Sequence, residues 1–129
     1  MTSSPTPAPT PTVLERLRGL FGGGPDDGSL GSKVDATRAL ELVAGGATLL
    51  DVRESGEWRS GHAPRAVHIP LGQIDQAAKR LHKGRPVVVV CASGMRSRTA
   101  AKQLRGLGFD AASLSGGMPA WQRAGGEIR

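Results

Sequence analysis

The chain is poor in aromatic residues and has a single cysteine. Aromatics make up 3% of its 129 residues (Phe21, Trp58, Phe109 and Trp121), and tyrosine is absent. A platform that stacks successive bases of single-stranded nucleic acid needs more rings than that. Cys91 has no second cysteine to pair with, which excludes an internal disulfide framework and any self-contained Cys-x-x-Cys zinc or redox site. A lone thiol suits a reducing compartment, so a cytoplasmic protein is expected. No apolar run approaches the ~20 residues of a transmembrane helix, so no membrane span is expected. Met1–Thr12 has neither a basic residue nor an apolar core and does not read as a secretory signal. His, Asp and Glu nowhere show metal-ligand spacing, so no metal is expected.

Charge is present but unevenly divided. Lys plus Arg is 17 and Asp plus Glu is 11, a net +6. Residues 1–32 carry Arg16 and Arg18 against Glu15, Asp26 and Asp27, a net −1, so the remaining 97 residues carry +7. The arginines are dispersed rather than packed into a basic run, so nucleic acid is not expected as the partner. A small anionic substrate fits the same charge.

Met1–Thr12 holds four Pro, four Thr and two Ser, a composition that cannot bury enough surface to offset its ordering entropy. Val13, Leu14, Leu17, Leu20 and Phe21 fall at helical spacing, as a transient helix or a docking peptide. Gly22–Ser32 reads as a flexible linker. The folded domain is expected at 33–129. There, helices are expected at Asp35–Ala44, around Trp58, at Ile74–Leu81, at Arg96–Leu107 and at Pro119–Ala124. Strands are expected at Thr48–Val52, Val67–Ile69, Pro86–Val90 and Ala111–Leu114. The four consecutive valines Val87–Val90 show no polar alternation, as in the buried centre of a parallel sheet. Alternating strands and helices predict an α/β domain, with a mainly parallel central sheet flanked by helices on both faces.

The chemistry concentrates where that central strand ends, in Cys91-Ala92-Ser93-Gly94-Met95-Arg96-Ser97. In open α/β sheets, ligands bind beyond the carboxyl ends of the strands. Loop N–H groups and the positive end of the following helix form an anion-binding concavity. Such a field favours thiolate over thiol, so Cys91 is the expected nucleophile with a lowered pKa. Gly94 permits a backbone conformation closed to other residues. Arg96 adds a fixed charge and a planar donor fork. Ser93 and Ser97 are candidate donors to an anion, with helix capping the other reading of Ser97. His62 reads as a turn-bracing imidazole, Trp58 and Trp121 as packing, and Gly116-Gly117 as a tight turn.

These residues resemble the rhodanese-like domain, a sulfurtransferase family. Leu50-Asp51-Val52-Arg53 is similar to its strand-plus-Asp-x-Arg motif. Glu57-Trp58 and Gly61-His62-Ala63-Pro64-Arg65-Ala66-Val67-His68-Ile69-Pro70-Leu71 resemble its next segment, with Ala63 for a common Ile and Arg65 for a common Gly. Leu114-Ser115-Gly116-Gly117-Met118-Pro119-Ala120-Trp121 is similar to its closing signature. The resemblance implies a rhodanese-like fold and a persulfide relay at Cys91, with residues 92–97 (Ala92, Ser93, Gly94, Met95, Arg96 and Ser97) holding the substrate. It implies that Asp51 braces the loop and that Arg53 is structural or near the site. The implied partners are a small anionic sulfur donor such as thiosulfate and a cyanide or thiol acceptor; no metal or organic cofactor is required. Two alternatives stay open: a persulfide carrier that hands sulfur to a protein, and a Cys-dependent phosphatase or arsenate reductase. Phosphatases of that type use Cys-x5-Arg, whereas Cys91 to Arg96 is Cys-x4-Arg, a narrower cradle.

Overall fold

A computed structural model describes residues 29–129. The Pro/Thr tail, the Val13–Phe21 segment and the linker as far as Gly28 lie outside the described residues. Five strands form one all-parallel sheet: β1 (Lys33–Val34), β2 (Thr48–Asp51), β3 (Val67–His68), β4 (Val87–Val90) and β5 (Ala111–Leu114), in the order β1-β5-β4-β2-β3. The valine strand β4 is central, paired with β2 and β5, and its four side chains are fully buried. Each such valine contributes roughly 1.5–3 kcal/mol by burial, an upper estimate because the unfolded chain is already partly compact.

The strand's two-residue period sends its side chains into two separate cores. Val87 and Val89 pack with Leu50, Ile74, Ala77, Ala101 and Leu104; Val88 and Val90 pack with Leu49, Ala39, Leu114, Met118 and Trp121. Helix α1 (Ala36–Ala44) and helix α5 (Gly117–Arg123) cover the second face. The first face is covered by helix α4 (Met95–Gly106), by a 3-10 stretch at Leu71–Gln76 and by the short helix α3 (Ala77–Arg80). Helix α2 (Ser55–Arg59) follows β2. The expected α/β architecture with helices on both faces is what forms.

Local differences have local causes. The helix expected at Ile74–Leu81 is instead the 3-10 stretch followed by one α turn. Gln73 (φ −117°, ψ 17°) breaks the helical run, and its N–H closes a turn onto the Pro70 carbonyl at 2.8 Å. Ile74 and Ala77 still reach the core, so their helix-like spacing is preserved without a continuous helix. Strand β1 was not anticipated, since two residues are too few to show a period. It rests on β5, and the chain is held even before it: Leu30 N–H donates to Asp110 Oδ1 at 2.9 Å and the Ser32 carbonyl accepts from Ser113 at 3.0 Å. Leu30 and Ser32, read from composition as linker, are therefore docked. Asp35 caps α1, its Oδ1 accepting from Arg38 N–H at 2.8 Å.

Candidate active site

Cys91 is the first residue beyond β4, and its parity with Val87 and Val89 turns it toward α4, in the same core cluster as Ala100. Its residue surface is fully buried. The chain then folds around the sulfur. Gly94 takes φ +113°, a conformation that L side chains rarely adopt, and this aims its N–H at Cys91 Sγ at 3.0 Å. Ser97 N–H donates to the same atom at 3.3 Å, and Sγ and Ser97 Oγ lie 3.5 Å apart. Burial alone would push the thiol up. Hydrogen bonds from the Ser97 hydroxyl and from the Ser97, Gly94 and Ser93 amides outweigh it, and the net direction is down from an ordinary 9.0. This matches the lowered pKa expected from the loop's composition.

Ser97 lies within the first turn of α4, whose N-cap is Gly94, so Ser97 is not the cap. Its Oγ is 3.1 Å from the Gly94 carbonyl and 2.7 Å from Ser113 Oγ. Ser113, a buried hydroxyl in an otherwise apolar strand, thus joins the sulfur's surroundings. The one signal for it in the sequence was that a buried hydroxyl must find a partner. Ser93 is exposed, Ala92 is half-buried, and Met95 is 68% exposed at the loop's outer edge.

The Gly116-Gly117 pair does more than turn the chain. Met118 N–H donates to the Cys91 carbonyl at 2.9 Å. A Cβ on Gly117 (φ +65°) would overlap the Ala92 carbonyl, so only glycine lets α5 begin this close to the loop. The Cys91 loop is therefore held from behind by residues 116–118.

Arg96 is placed differently from the expectation that its fork faces an incoming anion. Its Nη1 and Nη2 donate to Glu57 Oε1 and Oε2 at 2.7 and 2.9 Å. Glu57 also accepts from Glu54 N–H at 2.9 Å. The hydrogen bonds from Arg96 lead in holding the Glu57 carboxyl down, to about 2, against the opposing effect of partial burial. Glu57 was legible only as part of the Glu-Trp motif, with no sign of its partner.

Asp51 and Arg53 meet each other rather than the Cys91 loop. Asp51 is fully buried and accepts from Arg53 N–H, Nε and Nη2, the last at 2.7 Å. Arg53 Nη2 also donates to the Gly61 carbonyl at 2.8 Å. The pair thus ties the end of β2 to the Gly61 loop. His62 Nδ1 bonds the Trp58 carbonyl at 2.7 Å, the turn-bracing role its position suggested. Trp58 stacks against both His62 and His68, with centroids 3.6 and 4.6 Å apart. Among the described residues, no group of three or more His, Cys, Asp or Glu is placed to hold a metal ion, and no helix is long and apolar enough to cross a membrane.

Comparison with known proteins bears on this geometry. Residues 35–124 match the family model described as the rhodanese-like domain. The chain is 38% identical over 94 residues to YtwF of Bacillus subtilis, covering 73% of this chain and 84% of that protein. It is 35% identical over 91 residues to the thiosulfate sulfurtransferase GlpE of Pseudomonas savastanoi pv. phaseolicola, covering 70% and 86%. The crystal structure of a rhodanese-related protein from Thermoplasma volcanium superposes with a TM-score of 0.69 at 28% identity, covering 76% of this chain and 97% of that one.

Proposed function

This chain belongs to the rhodanese-like domain family, and from that premise we propose that it transfers a sulfane sulfur through a persulfide on Cys91, with thiosulfate as a competent donor. The observation that carries this reading is the sulfur cradle: two amide N–H groups and a hydroxyl converge on Cys91 Sγ. In the first half-reaction the Cys91 thiolate attacks the outer sulfur of thiosulfate. An Sγ–S bond forms, the S–S bond of the donor breaks, and its electron pair leaves on sulfite. In the second, cyanide or a thiolate attacks the terminal sulfur, and the pair of the Sγ–S bond returns to Cys91. This is covalent catalysis in two steps, with ping-pong kinetics. The donors around Cys91 Sγ shift its equilibrium toward the thiolate, and neither half-reaction calls for a metal or organic cofactor. The loop N–H groups are suited to stabilise the anionic persulfide.

The exposed Met95 beside the loop favours a protein thiol as a second acceptor, the carrier reading. The phosphatase reading loses support, because the guanidinium that would grip a phosphate is occupied by Glu57. The lone thiol fits a reducing compartment such as the cytoplasm. The test is thiocyanate formation from thiosulfate and cyanide by the wild type and by Cys91→Ser. Turnover in the wild type alone supports the reading; turnover in neither, or equally in both, refutes it.

A further inference from the structure

Ser113 is a buried hydroxyl in the otherwise apolar strand β5. Its backbone is fixed from both sides: its N–H donates to the Ser32 carbonyl at 3.0 Å, and it stands in register with Lys33 of β1 and Val89 of β4. Its Oγ lies 2.7 Å from Ser97 Oγ, which is 3.5 Å from Cys91 Sγ. We propose that Ser113 is a positioning residue for the sulfur chemistry: its hydroxyl donates to Ser97 Oγ and so leaves the Ser97 proton to the Cys91 thiolate. The proposal rests on Cys91 being the reacting nucleophile.

The argument is an accounting of protons. A hydroxyl has one proton to donate and two lone pairs that accept. Ser97 Oγ faces three neighbours: Cys91 Sγ, the Gly94 carbonyl at 3.1 Å and Ser113 Oγ. While Cys91 is a thiol, its S–H donates to Ser97 Oγ, and the Ser97 proton goes to the Gly94 carbonyl. Once the thiol proton is lost, the sulfur only accepts, and the Ser97 proton turns to it. The Gly94 carbonyl keeps a donor when that happens, Arg98 N–H at 3.3 Å. Ser97 Oγ, no longer receiving the S–H, has Ser113 as its remaining donor among the described residues. A hydroxyl that accepts a hydrogen bond donates a stronger one. Ser113 thus matters more to the thiolate than to the thiol, and removing it disfavours the thiolate.

The test is the pH profile of Cys91 alkylation by iodoacetamide, measured on the full chain. Ser113→Ala is expected to move the midpoint upward by roughly half a unit to one unit, the equivalent of one hydrogen bond. Ser113→Thr keeps the hydroxyl and should stay near the wild type. Ser113→Val has the shape of threonine without the hydroxyl and should shift as Ser113→Ala does. Ser113 borders a groove of about 140 Å³, which gives the added methyl room. In a Ser97→Ala background, Ser113→Ala should add no further shift, because its effect runs through Ser97. An unmoved midpoint in Ser113→Ala, equal shifts in the threonine and valine variants, or an undiminished shift in the Ser97→Ala background overturns the proposal. If the two larger side chains do not fold, Ser113→Ala and the double variant decide alone. A wild type without Cys91-dependent thiocyanate formation defeats the sulfur-transfer reading instead; alkylation needs no sulfur donor and still decides the role of Ser113.

Discussion

Glu57 grips the guanidinium of Arg96 with both carboxylate oxygens, at 2.7 and 2.9 Å, across 39 residues of sequence. The contact ties helix α2 to the first turn of α4, so the arginine that ends the Cys91 loop works as a strut. Removing it should therefore loosen the loop for every substrate. Arg96→Ala is expected to lower kcat/KM about tenfold, or about 1.4 kcal/mol, with thiosulfate and with an uncharged persulfide donor alike. Steady-state rates with both donors check this; a loss confined to thiosulfate would mean that Arg96 binds the sulfonate itself.

The same pair has a pH signature. The folded-state pKa of Glu57 is lowered to about 2 from an ordinary 4.5. A depressed carboxylate contributes stability that is present above 4.5 and is lost as pH falls toward 2. The site is about a third exposed, so solvent screening reduces the contribution to about 1 kcal/mol. Urea unfolding of the wild type and Glu57→Gln at pH 6 and pH 2.5 should show the difference between them shrinking at the lower pH. A difference that stays constant contradicts the assignment.

The Cys91 thiol is opposed by burial but lowered on balance, chiefly by the Ser97 hydroxyl and then by the loop amides. Alkylation by iodoacetamide should therefore reach its plateau below the pH of an ordinary thiol. Ser97→Ala, which removes the hydroxyl, should move that profile upward while leaving the amide donors in place. Because the folded pKa lies below 9.0, the stabilisation by the thiolate appears as pH rises through that window and is absent below it.

Asp51 and Arg53 form a pair that is almost wholly buried, with side-chain exposures of 0% and 9%. Asp51→Asn leaves Arg53 without its counter-charge and is expected to destabilise the fold by about 3–5 kcal/mol. Denaturant unfolding measures the loss. Since Asp51 contacts Arg53 rather than the loop, the folded fraction of the variant should keep the alkylation pH profile of the wild type.

How much of this was legible follows the range of each interaction. The four valines of β4 revealed a buried parallel strand because burial on both faces removes polar alternation. Cys91 and Gly94 stood out because a strand end, a lone thiol and a flexible residue coincide. The Gly116-Gly117 pair was visible as a turn, but its contact with the Ala92 carbonyl depends on α5 returning across the sheet. Arg96 was read as a free donor fork because nothing local to it announces Glu57. Ser113 was hidden for the same reason, since its partner Ser97 lies 16 residues away in another element. The 3-10 stretch escaped because Ile74, Ala77 and Leu81 keep a helix-like spacing that two backbone conformations can satisfy.

The persulfide itself is the most direct readout. The full-length protein is incubated with thiosulfate, freed of excess reagent and weighed intact by mass spectrometry, before and after cyanide. The wild type should gain the mass of one sulfur atom, located on Cys91 by peptide mapping, and lose it to cyanide as thiocyanate. No cyanide-labile gain in the wild type, or the same gain in Cys91→Ser, would contradict a Cys91 persulfide.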